Sequence, residues 1–193
     1  MEKFKDIIKE VREYAISEIE KYSLPPLILF EIAEKNAIRL SKKFDADLNI
    51  IKIGVYLMDL KLGQAIKENK ELQHINISVK SAKEFLDKFE IDRLSKEKII
   101  NCIEAHHKDI QFKFIEAEIC ANADCYKFLH PKGFLAYLTI LGKRGLSFNE
   151  ILNRAEEKLD EKHNILSLEI CKKELNKYYG DLKKYIKEAR REL

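Results

Sequence analysis

Glycine and proline are scarce in this sequence, whose 193 residues contain six glycines and three prolines. A fold with many β-strands needs turn residues at roughly every 8 to 12 positions, so an all-β domain is not expected. The scarcity also argues against a glycine-rich phosphate loop. An excess of charge is missing as well, because Lys+Arg 36 stands against Asp+Glu 33 for a net charge of +3. Such a weak basic excess does not indicate a nucleic-acid partner.

Long hydrophobic runs are also missing. No apolar stretch reaches the roughly 18 residues that a membrane span requires. The first ten residues, MEKFKDIIKE, have the pattern of an amphipathic helix and not that of a signal peptide. We therefore expect a soluble, cytoplasmic protein with no membrane partner. The cysteines are Cys102, Cys120, Cys125 and Cys171. They form neither a CxxC pair nor a disulfide framework, so we expect reduced thiols that are buried as small apolar groups.

Helical periodicity runs through the sequence from end to end. The segment LNIIKIGVYLMDL, residues 48–60, is apolar nearly all round and follows Asp47 as a plausible cap, which predicts a central, buried helix. Ser95 is the expected cap of a later helix, and Gly145 with Ser147 marks a break before another. Further helices are predicted at about 75–89, 95–106, 113–128, 131–142 and 148–160.

These patterns predict an all-α fold, a single bundle of about eight or nine helices. We expect an N-terminal amphipathic helix over 1–22, a core over 23–145, and C-terminal helices over 146–193 that pack on the core. The last segment carries a seam of about three heptads at Leu168, Cys171, Leu175, Tyr178, Leu182, Tyr185 and Ala189. This seam either packs within the monomer or joins two copies in a homodimer. Because tyrosine and cysteine make a weak zipper, packing within the monomer is favoured.

A few polar residues interrupt the apolar helix faces. Asp124 continues an apolar stripe, where a buried carboxylate is costly unless it is paired or binds a cation. A functional, cation-binding carboxylate and a plain salt-bridged or rim position fit this pattern equally well. His106 and His107 are adjacent, and they can reach one site only if their helix ends there. Asp59 shares the azimuth of Lys52, which favours a solvated position unless the chain turns after the helix.

These residues, together with His74, have side chains that suit a transition metal. The set is Asp59, His74, His106, His107 and Asp124. Their order and spacing resemble those of the HD-domain superfamily of all-α, metal-dependent phosphohydrolases. The segments that carry this resemblance are DADLNIIKIGVYLMDL, HINISVKSAKEFL, IINCIEAHH and EAEICANAD, and together they cover roughly residues 27–130.

The resemblance implies an altered metal site. Leu29 stands at the position of the family's first histidine, and Met58 stands at the position of the histidine in the His-Asp pair. Asp59 and Asp124 are what remains of the usual four ligands. In members with two metals, downstream histidines serve the second ion. The positions that match are His74, His106 and His107. The resemblance therefore implies either a shifted site for manganese, iron, nickel or magnesium, or no metal at all.

Roles for the remaining polar groups follow from the same resemblance. Asp124 becomes a candidate catalytic base. Lys127, His130 and Lys132 follow it closely and are candidates to contact a phosphate, with Lys61 as a further positive group.

Three functions stay open on the sequence, so the chain is not assigned as an enzyme. The first is a metal-dependent phosphohydrolase that acts on a nucleotide or small phosphoester through the altered site. The second is an inactive HD relative that binds a nucleotide or another small phosphorylated ligand. The third is a helical interaction protein with a filled pocket, which pairs through its C-terminal helix.

Overall fold

Helices follow one another along nearly the whole chain in the computed structural model, which describes residues 2–107 and 110–191. Within these ranges there is no β-strand, and nine α-helices have at least ten residues while a tenth has six. The helices are α1 (Glu2–Tyr22), α2 (Leu27–Ser41), α3 (Leu48–Leu57), α4 (Leu62–Lys67), α5 (His74–Leu86), α6 (Arg93–Glu104), α7 (Ile115–Leu129), α8 (Pro131–Lys143), α9 (Phe148–Ile165) and α10 (Glu169–Ala189). The all-α prediction is confirmed. None of these helices is both long and apolar enough to cross a membrane.

Side-chain caps fix the starts of several helices. Asp47 accepts a hydrogen bond from the backbone N–H of Asn49 at 2.8 Å, so α3 begins where the sequence predicts. Ser147 begins α9 with a capping box, also as expected. For α6 the predicted cap is wrong. Asp92, not Ser95, is the cap, because the Asp92 carboxylate accepts the Ser95 backbone N–H at 2.9 Å.

One short helix lies where the sequence predicts only a polar connection. The stretch 61–73 contains α4 and a 3-10 turn, Glu71–Gln73. A Cβ atom on Gly63 would lie 2.6 Å from the carbonyl oxygen of Leu24 and 2.6 Å from Cβ of Tyr22. α4 therefore packs tightly against the end of α1 through a residue without a side chain. Six residues are too few for an apolar period to signal such a helix.

The centre of the bundle is built from α3 and α7. The isoleucines Ile50, Ile51 and Ile53 of α3 are at most 1% exposed, and α7 packs against α2, α3, α6, α8 and α9. A ten-residue helix is marginal by itself, so burial rather than helix propensity holds α3 in place. All four cysteines are buried free thiols, as predicted. The two central helices thus fix the positions of Asp59, just after α3, and Asp124, within α7.

The C-terminal seam is buried within the chain. Cys171, Leu175 and Leu182 belong to the same hydrophobic core as the rest of the bundle, and α10 packs on α7 and α9. The last heptad shifts by one residue, because Ile186 is buried while Tyr185 is 66% exposed. The seam therefore follows the predicted register for its first two heptads. Pairing of two copies through α10 stays a prediction.

Candidate metal centre

The turn after α3 directs Asp59 into the protein. Because α3 ends at Leu57, Asp59 no longer lies on the helix face of Lys52, and its side chain is only 13% exposed. Of the two positions that the sequence allowed for this residue, the redirected one is found. Its Oδ1 atom faces two imidazole rings, at 3.9 Å from Nε2 of His74 and 3.6 Å from Nε2 of His106.

Three histidines meet at this point. His74 is the first residue of α5, while His106 and His107 occupy a 3-10 turn that follows α6. Because α6 ends before them, the two adjacent histidines reach one place. One nitrogen from each of the three rings lies within 4.8 Å of the others. His74 and His106 are buried, and His107 is partly exposed.

Backbone carbonyl groups fix the orientation of two of these rings. Nδ1 of His74 lies 2.7 Å from the carbonyl oxygen of Glu71, and Nδ1 of His106 lies 2.7 Å from that of Ile103. A carbonyl oxygen only accepts, so each Nδ1 carries the hydrogen and Nε2 points into the cluster. Nε2 of His106 is buried and has no hydrogen-bond partner among the described residues. A buried lone pair beside a carboxylate oxygen is unfavourable, and a cation between them would remove the penalty.

The third ring is oriented by Glu161 of α9. Its Oε1 atom lies 2.9 Å from Nδ1 of His107, which leaves Nε2 of that ring for another partner. Burial, with the nearby Lys162 ammonium, lowers the pKa of His107 to about 3. Burial also lowers the pKa of His74. Both imidazoles are thus neutral near pH 7, the form that binds a metal ion.

A second cluster of buried charges lies behind the histidines. The ammonium group of Lys127 contacts Oδ2 of Asp59 and lies 2.5 Å from Oδ1 of Asp124. The other oxygen of Asp124, Oδ2, lies 2.8 Å from Nζ of Lys162. Asp124 therefore has the salt-bridged surroundings that the sequence analysis kept as one alternative.

The charges in this cluster stabilise one another. Burial alone would raise the pKa of Asp59, but the Lys127 ammonium holds it well below its usual range. Burial would likewise raise the pKa of Asp124, whereas Lys127 and Lys162 lower it. Burial would lower the pKa of Lys127, and its two carboxylate partners raise it instead. Both carboxylates are therefore ionised and both lysines are charged near pH 7.

The predicted phosphate-contacting residues lie in two different places. Lys127 is 3% exposed and paired with carboxylates inside the protein. His130 and Lys132 lie at the start of α8, where Nδ1 of His130 accepts the Lys132 backbone N–H at 3.3 Å. Among the described residues, no contact links these two to the histidine cluster. Lys61 pairs with Glu18 at 2.8 Å.

The two apolar replacements are both buried. Met58, Asp59 and Lys127 line a cavity of about 10 Å³, which has room for about one water molecule. The side chains that α2 presents to this cavity are Phe30 and Ala33, and Leu29 is buried on the same helix without lining it.

Two residues of the site escaped the sequence analysis, namely Glu161 and Lys162. Both lie in the charged segment AEEKLDEKHN of α9, where nothing in the pattern separates them from their exposed neighbours. Lys162 is nevertheless 1% exposed. Its position on the face of Ala155 and Leu159, seven and three residues earlier, is the one signal that it points inward.

Comparison with known proteins finds one relevant similarity. Over 92 residues, or 48% of this chain, the sequence is 32% identical to ribonuclease Y of Finegoldia magna. The match covers 16% of that protein, so the chain spans about one sixth of the relative's length. No family model matches the chain, and no solved structure matches it significantly. The similarity supports a distant relationship and does not assign the chain to a family.

Proposed function

We propose that this protein is a metal-dependent phosphohydrolase of the HD type that acts on a nucleotide or small phosphoester. Its metal ion would be held by the histidine cluster, which consists of His74, His106 and His107, together with Asp59. The observation that carries the proposal is the buried Nε2 atom of His106, which has no hydrogen-bond partner in the described part of the chain and lies 3.6 Å from Oδ1 of Asp59. The negative charge of the Asp59 carboxylate and the lone pairs of the imidazole nitrogens suit a cation at this point.

The chemistry of these ligands narrows the choice of metal. Three imidazole nitrogens and one carboxylate oxygen suit manganese, iron or nickel better than magnesium, which prefers oxygen ligands. Each ring also has the hydrogen-bonded Nδ1 that metal-binding histidines typically show. Of the four metals considered from the sequence, magnesium is therefore the least favoured.

Charge balance explains how such a site would receive a phosphate. A bound divalent ion would polarise a phosphoryl oxygen and lower the pKa of a water molecule. Around it, the three carboxylates of Asp59, Asp124 and Glu161 are matched by the ammonium groups of Lys127, Lys162 and Lys158 when the imidazoles are neutral. The protein alone is thus close to neutral here, and with a divalent ion the site becomes positive and attracts an anion.

Asp124 has a positioning role in this proposal. Both of its oxygens are held by ammonium groups, and the residue is 1% exposed. A general base must reach the proton that it removes, and its pKa should lie near the working pH. Asp124 meets neither condition. It instead orients Lys127, which in turn holds Asp59 beside the histidines.

The similarity to ribonuclease Y supports the phosphoester part of the proposal. A ribonuclease, as that relative is named, cleaves phosphodiester bonds. This is the bond class that the HD resemblance also implies. Because the match covers a small part of that protein, RNA is not carried over as the substrate.

A second candidate function is that of a helical interaction protein with a filled pocket. Met58 and Lys127 leave a cavity of only about 10 Å³ next to Asp59, which is too small for a phosphorylated ligand. This favours the interaction protein if the histidine cluster holds no metal. The two candidates differ in the metal content of the purified protein.

Elemental analysis of the untagged protein tests the proposal. After incubation with manganese, iron or nickel and dialysis, we expect about one ion per chain. His106→Ala should lower the occupancy at least tenfold, because it removes the buried nitrogen at the centre of the site. His163→Ala is the matched control, since His163 stacks on Tyr179 and bonds Asn176 outside the cluster.

Hydrolysis of a chromogenic phosphodiester and of nucleotides completes the test. We expect turnover that depends on the bound metal and that is lost with His106→Ala but not with His163→Ala. Occupancy near zero with all three metals would reject the enzyme and favour the helical interaction protein with a filled pocket.

A further inference from the structure

Lys127 is an unusual residue for the centre of a protein. Its side chain is 4% exposed, and its ammonium group lies between carboxylates from two parts of the chain, the turn after α3 and the middle of α7. A buried charge is costly unless it is paired on nearly every side. Lys127 satisfies this condition with two carboxylates, and the Phe128 ring lies 5.6 Å from its Nζ atom.

The same two carboxylates are the ones that the HD resemblance assigns to a metal ion. The other two ligands that the resemblance assigns to that ion are missing here. Met58 offers at most a thioether, and Leu29 offers no ligand atom at all. The groups do fit an ammonium, which needs oxygen acceptors and no imidazole.

We infer that Lys127 serves as a built-in cation that occupies the place between Asp59 and Asp124 where a metal ion would otherwise bind. This pair of carboxylates then holds no metal, and the histidine cluster is the remaining candidate metal site among the described residues. The inference does not depend on the proposed function, because it concerns a different face of Asp59.

Lys162 supplies the second positive charge that a divalent metal ion would bring. A divalent ion would bring two positive charges to the two carboxylates. Here Lys127 bridges Asp59 and Asp124, and Lys162 adds the second positive charge at Oδ2 of Asp124. Two carboxylates and two ammonium groups are therefore balanced without any ion from solution. Unlike a metal, these cations cannot be removed by a chelator.

Substitution of Lys127 by methionine tests the inference. Methionine keeps an unbranched side chain of similar length but removes the charge, so Asp59 and Asp124 are left facing each other. All variants carry His106→Ala as well, which removes the proposed histidine site and separates the two hypotheses. The probes are Mn²⁺ and Mg²⁺ alone, read by elemental analysis and by the unfolding temperature in chelator and in excess metal.

The expected result is a gain of metal. In chelator, Lys127→Met should lower the unfolding temperature by roughly 10 °C, because one partner of a buried ion pair is missing. Added Mn²⁺ or Mg²⁺ should restore most of this loss, with about one ion bound per chain. The parent His106→Ala protein should show no such response.

Lys98→Met is the matched control. Lys98 also pairs with a buried carboxylate, that of Glu116 at 2.7 Å, but outside this cluster. It should lose stability without recovery by metal. If Lys127→Met binds no additional metal and is as stable in chelator as in Mn²⁺, the inference is wrong.

A measurement on the unmodified protein covers the case in which Lys127→Met does not fold. Lysine-selective ¹⁵N spectra should show two ammonium signals protected from exchange with water, from Lys127 and Lys162, and both should shift in Asp124→Asn. The signals should persist in excess Mg²⁺. Their loss on addition of Mg²⁺ would show that a metal displaces the lysine and would overturn the inference.

Discussion

Two neighbouring residues in the turn that follows α3 line the same cavity but have different polar contacts. Met58 is buried beside a cavity with room for about one water molecule, whereas Asp59 contacts an ammonium group and faces two imidazoles. The backbone of this turn, rather than either side chain, decides which residue reaches the histidines. If the helix continued, Asp59 would lie on the same face as Lys52. This expectation fails because α3 ends at Leu57, two residues before Asp59.

At the same scale, Glu161 is expected to support the histidine cluster. Glu161→Gln keeps the shape of the side chain but weakens the hydrogen bond that orients His107. Metal affinity should fall by about 10-fold to 100-fold, the usual effect of losing a partner of a ligating histidine. Isothermal titration with Mn²⁺ measures the change.

Glu157→Gln is the control for this experiment, since Glu157 is an exposed residue of the same helix. It should bind Mn²⁺ like the parent protein. Equal affinity in Glu161→Gln and Glu157→Gln would show that Glu161 does not position His107.

Among the elements, α4 and α10 depend most clearly on particular residues. α4 approaches α1 so closely that Gly63 has no space for a side chain. α10 is fixed by its apolar seam and by a polar link in which Arg39 of α2 donates to Glu174 at 2.8 Å. Tyr126 of α7 also donates to Glu174, so three helices meet at one carboxylate.

Gly63→Ala should therefore destabilise the protein. The added methyl group would meet the backbone of Leu24 at 2.6 Å, and the forced shift should cost about 1 to 3 kcal/mol in urea unfolding. Gly180→Ala in α10 is the control, because nothing lies within 4 Å of the new atom. It should stabilise the helix by roughly 0.5 to 1 kcal/mol. Similar effects of both substitutions would contradict the close packing of α4.

The seam of α10 makes a second prediction at this scale. Leu175→Ala removes a fully buried side chain and should cost about 2 to 5 kcal/mol. Tyr185→Ala alters an exposed residue of the predicted seam and should change stability by less than about 0.5 kcal/mol. A large loss with Tyr185→Ala, dependent on protein concentration, would instead indicate that α10 pairs with a second copy.

On the scale of the whole molecule, one continuous core joins the first helix to the last. The reactivity of its buried cysteines measures how often that core opens. Burial raises the pKa of Cys171 to about 11 and also raises the pKa values of Cys102 and Cys125. A buried thiol with a high pKa reacts slowly, because the thiolate is the reactive form.

Thiol labelling should therefore follow unfolding of the entire chain. In native buffer a thiol reagent should label none of the four cysteines on the time scale of minutes, and in denaturant it should label all four. The labelling rate should fall in parallel with any substitution that stabilises the core. Rapid labelling of one cysteine in the native protein would show that part of the bundle opens independently.

The sequence predicts the elements better than the site. Apolar periodicity and caps such as Asp47 place most helices, because these signals act within a few residues. The histidines could be singled out for the same reason, by their position at the end of a periodic segment. Their partners could not. From α9, Glu161 contacts His107, 54 residues earlier, and Lys162 contacts Asp124, 38 residues earlier. Only the packing of α9 on α7 brings them there.

The balanced charges at the centre bear on how the protein is made. Two carboxylates and two ammonium groups meet there, all supplied by the chain itself. A newly synthesised chain can therefore complete its core in a cell that is short of metal. In the proposed enzyme, the supply of metal would then govern activity more than folding, because a chain that has not acquired an ion is already folded.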